Sequence, residues 1–288
     1  MKYLYLCLLF LISSISYSDE ISDLLDKLPP IIKKNNVGIE YWLTVPPGLS
    51  DNTGLENSVK IFVSSFTGTT VTVEIPAKNY KVQKKITLGE VSEFDISPEI
   101  AQPYLKSSTE PTVSSEIFKR NGIRVTAESP IICYVLVRNG NSSDGYLAYP
   151  VSSLANEYIV SSMNDASLYY PQFNSIPSLT GIVAAYDNTE VTFTLGGNSN
   201  SQTSSALKSG ESTTKYLSKG DVWMISSRLA GSDLSGSKIK SNYPVSVISG
   251  NQCANIPIAN KYCDYIVEME TPTATWSDTY FVPTIFGR

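Results

Sequence analysis

Past Gly38 the chain alternates apolar and polar residues with a period of two, and Gly, Asn and Pro interrupt the alternation at short intervals. A period of two places successive side chains on opposite faces of a strand, so the pattern predicts half-buried β-strands joined by tight turns. Ile61–Ile75 and Gly181–Leu195 show it most clearly. Each reads as strand, turn, strand, with Thr67-Gly68 and Asp187-Asn188 supplying the turn residues. The two stretches align with each other without a gap.

Other blocks repeat in the same order. Glu40–Leu43 recurs as Glu157–Val160 and again as Thr279–Val282, and Gly89-Glu90 matches Gly210-Glu211. Gly122–Pro130 matches Gly236–Pro244, and Pro150–Val160 matches Pro272–Val282. The spacing runs from 114 (Gly122 to Gly236) to 122 (Pro150 to Pro272). An ordered set of matches is the signature of an internal repeat. It divides the chain into two homologous units, 38–156 and 157–278, followed by 279–288 as the start of a third unit or a closing strand. Each unit holds about eight candidate strands, as in a β-sandwich or jelly roll. The fold class is therefore all-β, with tandem sandwich-like units. Two propeller blades per unit is the alternative.

The first 37 residues follow other rules. Lys2 precedes an apolar run from Leu4 to Ile12, and Ser16 and Ser18 stand at the −3 and −1 positions of a cleavage site. This is the pattern of a secretory signal peptide over 1–18. The run is too short to span a membrane, and no later segment is long and apolar enough to do so. In the lead-in segment 19–37, Ile21, Leu24, Leu25 and Leu28 have helical spacing until Pro29-Pro30 stops it.

Composition narrows the chemistry. Charged residues are 17% of the chain, and the net charge is −5. Without residues 1–18 it becomes 21 − 27 = −6, so there is no basic footprint for nucleic acid. Histidine is absent, which removes Ser-His and Cys-His nucleophiles and imidazole metal ligands. No phosphate loop, calcium loop or dinucleotide fingerprint occurs, and no cofactor or metal is implied.

In an oxidising compartment, Cys253 and Cys263 flank a short loop between two strands and form a candidate disulfide; two cysteines without histidine would make a poor zinc site. Cys133, among Ile131, Ile132, Val135 and Val137, reads as a buried free thiol. Asn141-Ser142-Ser143 is a glycosylation sequon in a polar loop, Asn139 to Gly145. Asp144 and Asp264 take the same place in the two units, as repeated ligand contacts or as turn-forming carboxylates. Glu268 and Glu270 lie two apart on one strand face, as a solvated pair or as the acid pair of a glycosidase. Trp42 reads as core or as a carbohydrate-stacking contact, and Trp276, which aligns with Leu154, as core. Tyr146, Tyr149, Tyr169 and Tyr170 are candidates for an exposed aromatic binding surface.

Taken together, Gly38–Pro47, the Asp187–Thr192 hairpin, Ser142–Pro150, and Gly250–Pro257 with Cys263-Asp264 resemble the IgGFc-binding protein N-terminal domain family. The resemblance covers about residues 38–288. It implies a secreted, non-enzymatic recognition or adhesion domain for an extracellular protein or glycan, with IgG Fc or mucin as partners by analogy. It also implies that Cys253 and Cys263 match the family's cysteine pair. A carboxylate-dependent carbohydrate-active enzyme and a structural matrix module are the alternatives.

Overall fold

In the computed structural model, the alternation becomes β-structure throughout. The structure describes residues 35–50, 57–114, 116–170, 172–257, 260 and 262–280. The proposed signal peptide, nearly all of the lead-in and residues 281–288 lie outside these. In chain order the strands are β1 (Val37–Leu43), β2 (Asn57–Ser65), β3 (Thr69–Ile75), β4 (Tyr80–Ile86), β5 (Val91–Ile96), β6 (Glu116–Phe118), β7 (Ile123–Asn139) and β8 (Ser142–Leu147). They continue with β9 (Ala155–Ile159), β10 (Ser178–Ala184), β11 (Thr189–Thr194), β12 (Ser212–Leu217), β13 (Val222–Ser226), β14 (Lys238–Ala254) and β15 (Asp264–Met269).

Two 17-residue strands, β7 and β14, organise everything else. The N-terminal half of β7 pairs with β1 and β3, and its C-terminal half with β2 and β8. In the other unit β14 pairs with β9 and β11, then with β10 and β15. The first sheet has the order β4-β3-β7-β2-β5 and the second β12-β11-β14-β10-β13 with β6 on its edge. The two orders are the same topology twice. Each long strand runs through both layers of a sandwich, and its inward residues join the layers into one core. In β7 these are Ile123, Val125, Ile131, Cys133, Val135 and Val137, all buried. Cys133 is a free thiol, and burial pushes its titration well above the ordinary value.

Strand register corrects two of the sequence alignments. Ser64 pairs with Ile132, and Val183 pairs with Ser246, the residue 114 after Ile132. Ser64 is therefore equivalent to Val183, whereas the ungapped alignment sets it against Ala184. The turn after β10 holds one residue more than the turn after β2, and a slip of one residue exchanges the two faces of a strand. Similarly, Gly89 turns β4 into β5 at φ +76°, and Gly220 turns β12 into β13 at φ +82°. Gly89 is thus the counterpart of Gly220, not of Gly210.

The units pack tightly. The outer face of the second sheet, through Val183, Val222, Met224, Ile248, Val267 and Met269, belongs to the same hydrophobic cluster as the core of the first. Gly181 is the point of closest approach: a Cβ there would lie 2.6 Å from Thr44 Cγ2. β6, from within residues 38–156, crosses to pair with β13. Trp276 is a correction of another kind. Its counterpart Leu154 is buried, but Trp276 is 47% exposed beside Thr271, Thr275 and Tyr280.

Candidate functional site

The loop between β14 and β15 is closed by a Cys253–Cys263 disulfide. Asn255 orders it from within, its Nδ2 donating to Asn260 O at 2.9 Å and Tyr262 O at 3.1 Å. The same amide reaches Tyr170 Oη at 2.7 Å, tying the loop to the segment before β10. That segment is pinned by Asp165, fully buried, whose carboxylate accepts from Ser167 N, Ser167 Oγ and Ile176 N at 2.6–3.1 Å. Tyr170 and Phe173 pack with ring centroids 5.5 Å apart.

Between this aromatic pair, the disulfide and the β7–β8 turn lies a cleft of about 620 Å³. Its wall includes Tyr170, Phe173, Tyr262, Asn139, Asn141 and Gln252, and among the described residues Asp264 is the one charged lining residue. Gln252 is 1% exposed. Its Nε2 donates to Gly48 O and Lys106 O, while its Oε1 is buried with no hydrogen-bond partner among the described residues. An unmet buried acceptor costs about 1–3 kcal/mol.

The residues singled out from the sequence fare differently. Asn141 is exposed in a tight turn at the cleft rim; the expected loop from Asn139 to Gly145 contracts to Gly140-Asn141 between β7 and β8. Asp264 is exposed and lines the cleft. Asp144 is not its register equivalent. Asp144 pairs with Val137, whose counterpart Asn251 faces Ile266, two residues beyond Asp264. The Asp144 carboxylate accepts from Gly145 N and, across the unit boundary, from Val267 N at 2.8 Å. It is a clamp between the units.

Tyr146, expected on an exposed aromatic surface, is 3% exposed and donates its hydroxyl to Thr44 O at 2.9 Å. Burial is tolerable because the hydroxyl finds a backbone acceptor. Tyr149 is half-buried against Met269, and burial together with Glu268 pushes its hydroxyl above the ordinary value. Tyr169 is exposed at 42%. Trp42 is 3% exposed, beneath Arg124 and Lys219. Glu268 is exposed, but Glu270 is buried and accepts from Ser161 N at 2.5 Å, so the two do not share one solvated surface. Burial raises the Glu270 carboxyl to about 7.

Sequence reasoning missed Gln252, Phe173 and Leu49, which meet at the cleft from distant parts of the chain. The Asn251-Gln252 pair beside Cys253 was the available signal, since polar side chains at the buried end of a strand need partners.

The human IgGFc-binding protein is 25% identical over 238 residues, 80% of this chain. The chain spans 4% of that protein's length. The family described as IgGFc binding protein matches residues 144–288, from the Asp144 clamp through the whole second unit and its disulfide. That match takes in half of the chain, and the chain belongs to the IgGFc-binding protein family.

Proposed function

We propose that this chain is an exported, non-enzymatic recognition domain that binds an extracellular protein through the cleft beside the Cys253–Cys263 loop. The observation that carries the reading is the cleft itself. Among the described residues, three aromatic rings, from Tyr170, Phe173 and Tyr262, surround a hollow in which Asp264 is the one charged lining residue. Aromatic anchors with few charges make the energetic centre of a protein interface. Family membership supports the class of activity, and IgG Fc and mucin are the first ligands to try. The sequence of residues 1–18 supports export, and Asn141 is then a glycan attachment site on the cleft rim.

The test is surface plasmon resonance on the folded chain, with IgG Fc, mucin and deglycosylated mucin passed over it. Saturable binding that falls at least tenfold in Tyr262→Ser and Phe173→Ser supports the reading. Binding that both substitutions leave unchanged overturns the cleft as the site. Binding that disappears when mucin is deglycosylated shifts the ligand class to glycan.

A further inference from the structure

A second cleft, of about 710 Å³, opens where β1, β3, the β6–β7 turn and the β12–β13 turn meet. It shares no lining residue with the cleft beside the disulfide. Four cations line it, Lys81, Arg120, Arg124 and Lys219, against two carboxylates, Glu74 and Asp187. Glu40 lies behind the lining and pairs with both Arg124 and Lys219, so the local balance is +4 − 3 = +1 in a chain of net charge −5.

Three of the cations are held in place by acids. Arg124 Nε donates to Glu40 at 3.0 Å and its Nη1 to Glu74 at 3.1 Å. Lys219 Nζ lies 3.1 Å from Glu40, and Lys81 Nζ 3.3 Å from Glu74. Burial works against the Glu40 charge, but the Lys219 hydrogen bond and the Arg124 charge outweigh it and hold the carboxyl below its ordinary value. Arg124 and Lys219 also stand over the Trp42 ring, at 5.6 and 5.8 Å from its centroid. A guanidinium has five N–H donors, and the two acids engage two of those of Arg124.

Arg120 is the surplus cation. Its backbone is fixed at φ +53° by a hydrogen bond from its N–H to Asp221 Oδ1 and one from Ala77 N to its carbonyl. Asp221 is 1% exposed and also accepts from Lys119 Nζ and Ser218 N. The Arg120 guanidinium is exposed and makes no ion pair among the described residues. Three neutral polar residues, Asn79, Tyr80 and Ser218, complete the wall.

We infer that this cleft binds an acidic saccharide, with Arg120 and the free donors of Arg124 holding its anionic group and Asn79, Tyr80 and Ser218 its hydroxyls. A planar guanidinium fork matches a carboxylate or a sulfate ester, and amides and hydroxyls match sugar hydroxyls. The volume suits a small ligand, within the roughly 300–1,000 Å³ of such sites. This site stands apart from the protein-binding reading, and the sugar titration below needs no protein ligand, so either can fail alone.

The experiment is calorimetric titration of the folded chain at low salt with 3′-sialyllactose, lactose 6′-sulfate and lactose. Binding of either acidic sugar at least about tenfold tighter than lactose, weakened by salt, supports the inference and says whether carboxylate or sulfate is preferred. Arg120→Gly is the main variant, because glycine accepts the positive φ without strain. It should cost about tenfold in affinity. Lys81→Ala should weaken binding less, and Lys215→Ala, an exposed cation on β12, controls for net charge. No binding of either acidic sugar up to about 10 mM, equal binding of lactose, or equal loss in Arg120→Gly and Lys215→Ala would overturn it.

Discussion

Asp144 offers a direct test of how the two units are joined. Its Oδ2 accepts the backbone N–H of Val267 at 2.8 Å, and its Oδ1 accepts that of Gly145 at 2.9 Å. Val267 is 3% exposed and lies in the hydrophobic seam between the units. In Asp144→Ala the Val267 N–H keeps its burial and loses its acceptor. Leaving one buried donor unmet costs about 1–3 kcal/mol, and the charge-assisted bond to Gly145, half-exposed, adds less. The expected loss is about 2–3 kcal/mol, or roughly 5–10 °C in Tm for a domain of this size. Asp144→Asn keeps one acceptor oxygen of two and should lose about half as much. The assay is urea unfolding with an unchanged m-value, paired with hydrogen exchange at the Val267 amide. Exchange there should quicken in both variants while β11 and β12 stay protected. A loss below about 0.5 kcal/mol in Asp144→Ala, with no change at Val267, would refute the clamp and return Asp144 to the ligand-contact reading.

Three further outcomes follow from the same geometry. Replacing Cys253 and Cys263 together by Ser opens a loop with a sequence separation of 10, which the chain-entropy relation values at about 2–3 kcal/mol; denaturant midpoints that ignore reductant would contradict it. Gly181→Val drives a Cβ into Thr44 Cγ2 at 2.6 Å and Met224 Cε at 3.0 Å, so overpacking of the seam should cost about 1–3 kcal/mol, and an unchanged Tm would show that the seam yields. Glu270 holds its proton up to about pH 7 in the folded chain, whereas in the unfolded chain it ionises in the ordinary carboxylate range. The unfolded state therefore binds fewer protons between those values, and stability should fall as pH rises through that window and then level off. Glu270→Gln should flatten the profile in thermal melts; a slope that persists unchanged assigns it elsewhere.

What the sequence reveals and what it hides divide along one physical line, the number of faces a strand buries. In β2, β3 and β11 one face is core and the other is partly solvated, so Val59, Ile61 and Val63 alternate with polar neighbours and the strands are legible. β10 is buried on both faces, because the first unit covers its outer side. Its residues Leu179, Ile182, Val183 and Ala184 carry no alternation, so nothing in the sequence fixes which of two registers aligns it with β2, and the ungapped reading chose the wrong one. Tyr146 reads as a surface aromatic, but a strand of its own unit brings Thr44 O to accept its hydroxyl, and the ring is buried. Trp276 is the converse. It sits where Leu154 sits in the first unit, but Leu154 is buried in the core that the two units share, and no such cover reaches Trp276 among the described residues. Both clefts were illegible for a related reason. Each draws its wall from both units, Leu49 with Gln252 in one and Arg120 with Lys219 in the other, and only the packing of one repeat on the next brings those residues together. Both clefts are thus properties of the seam, and substitutions that loosen it should disturb both at once.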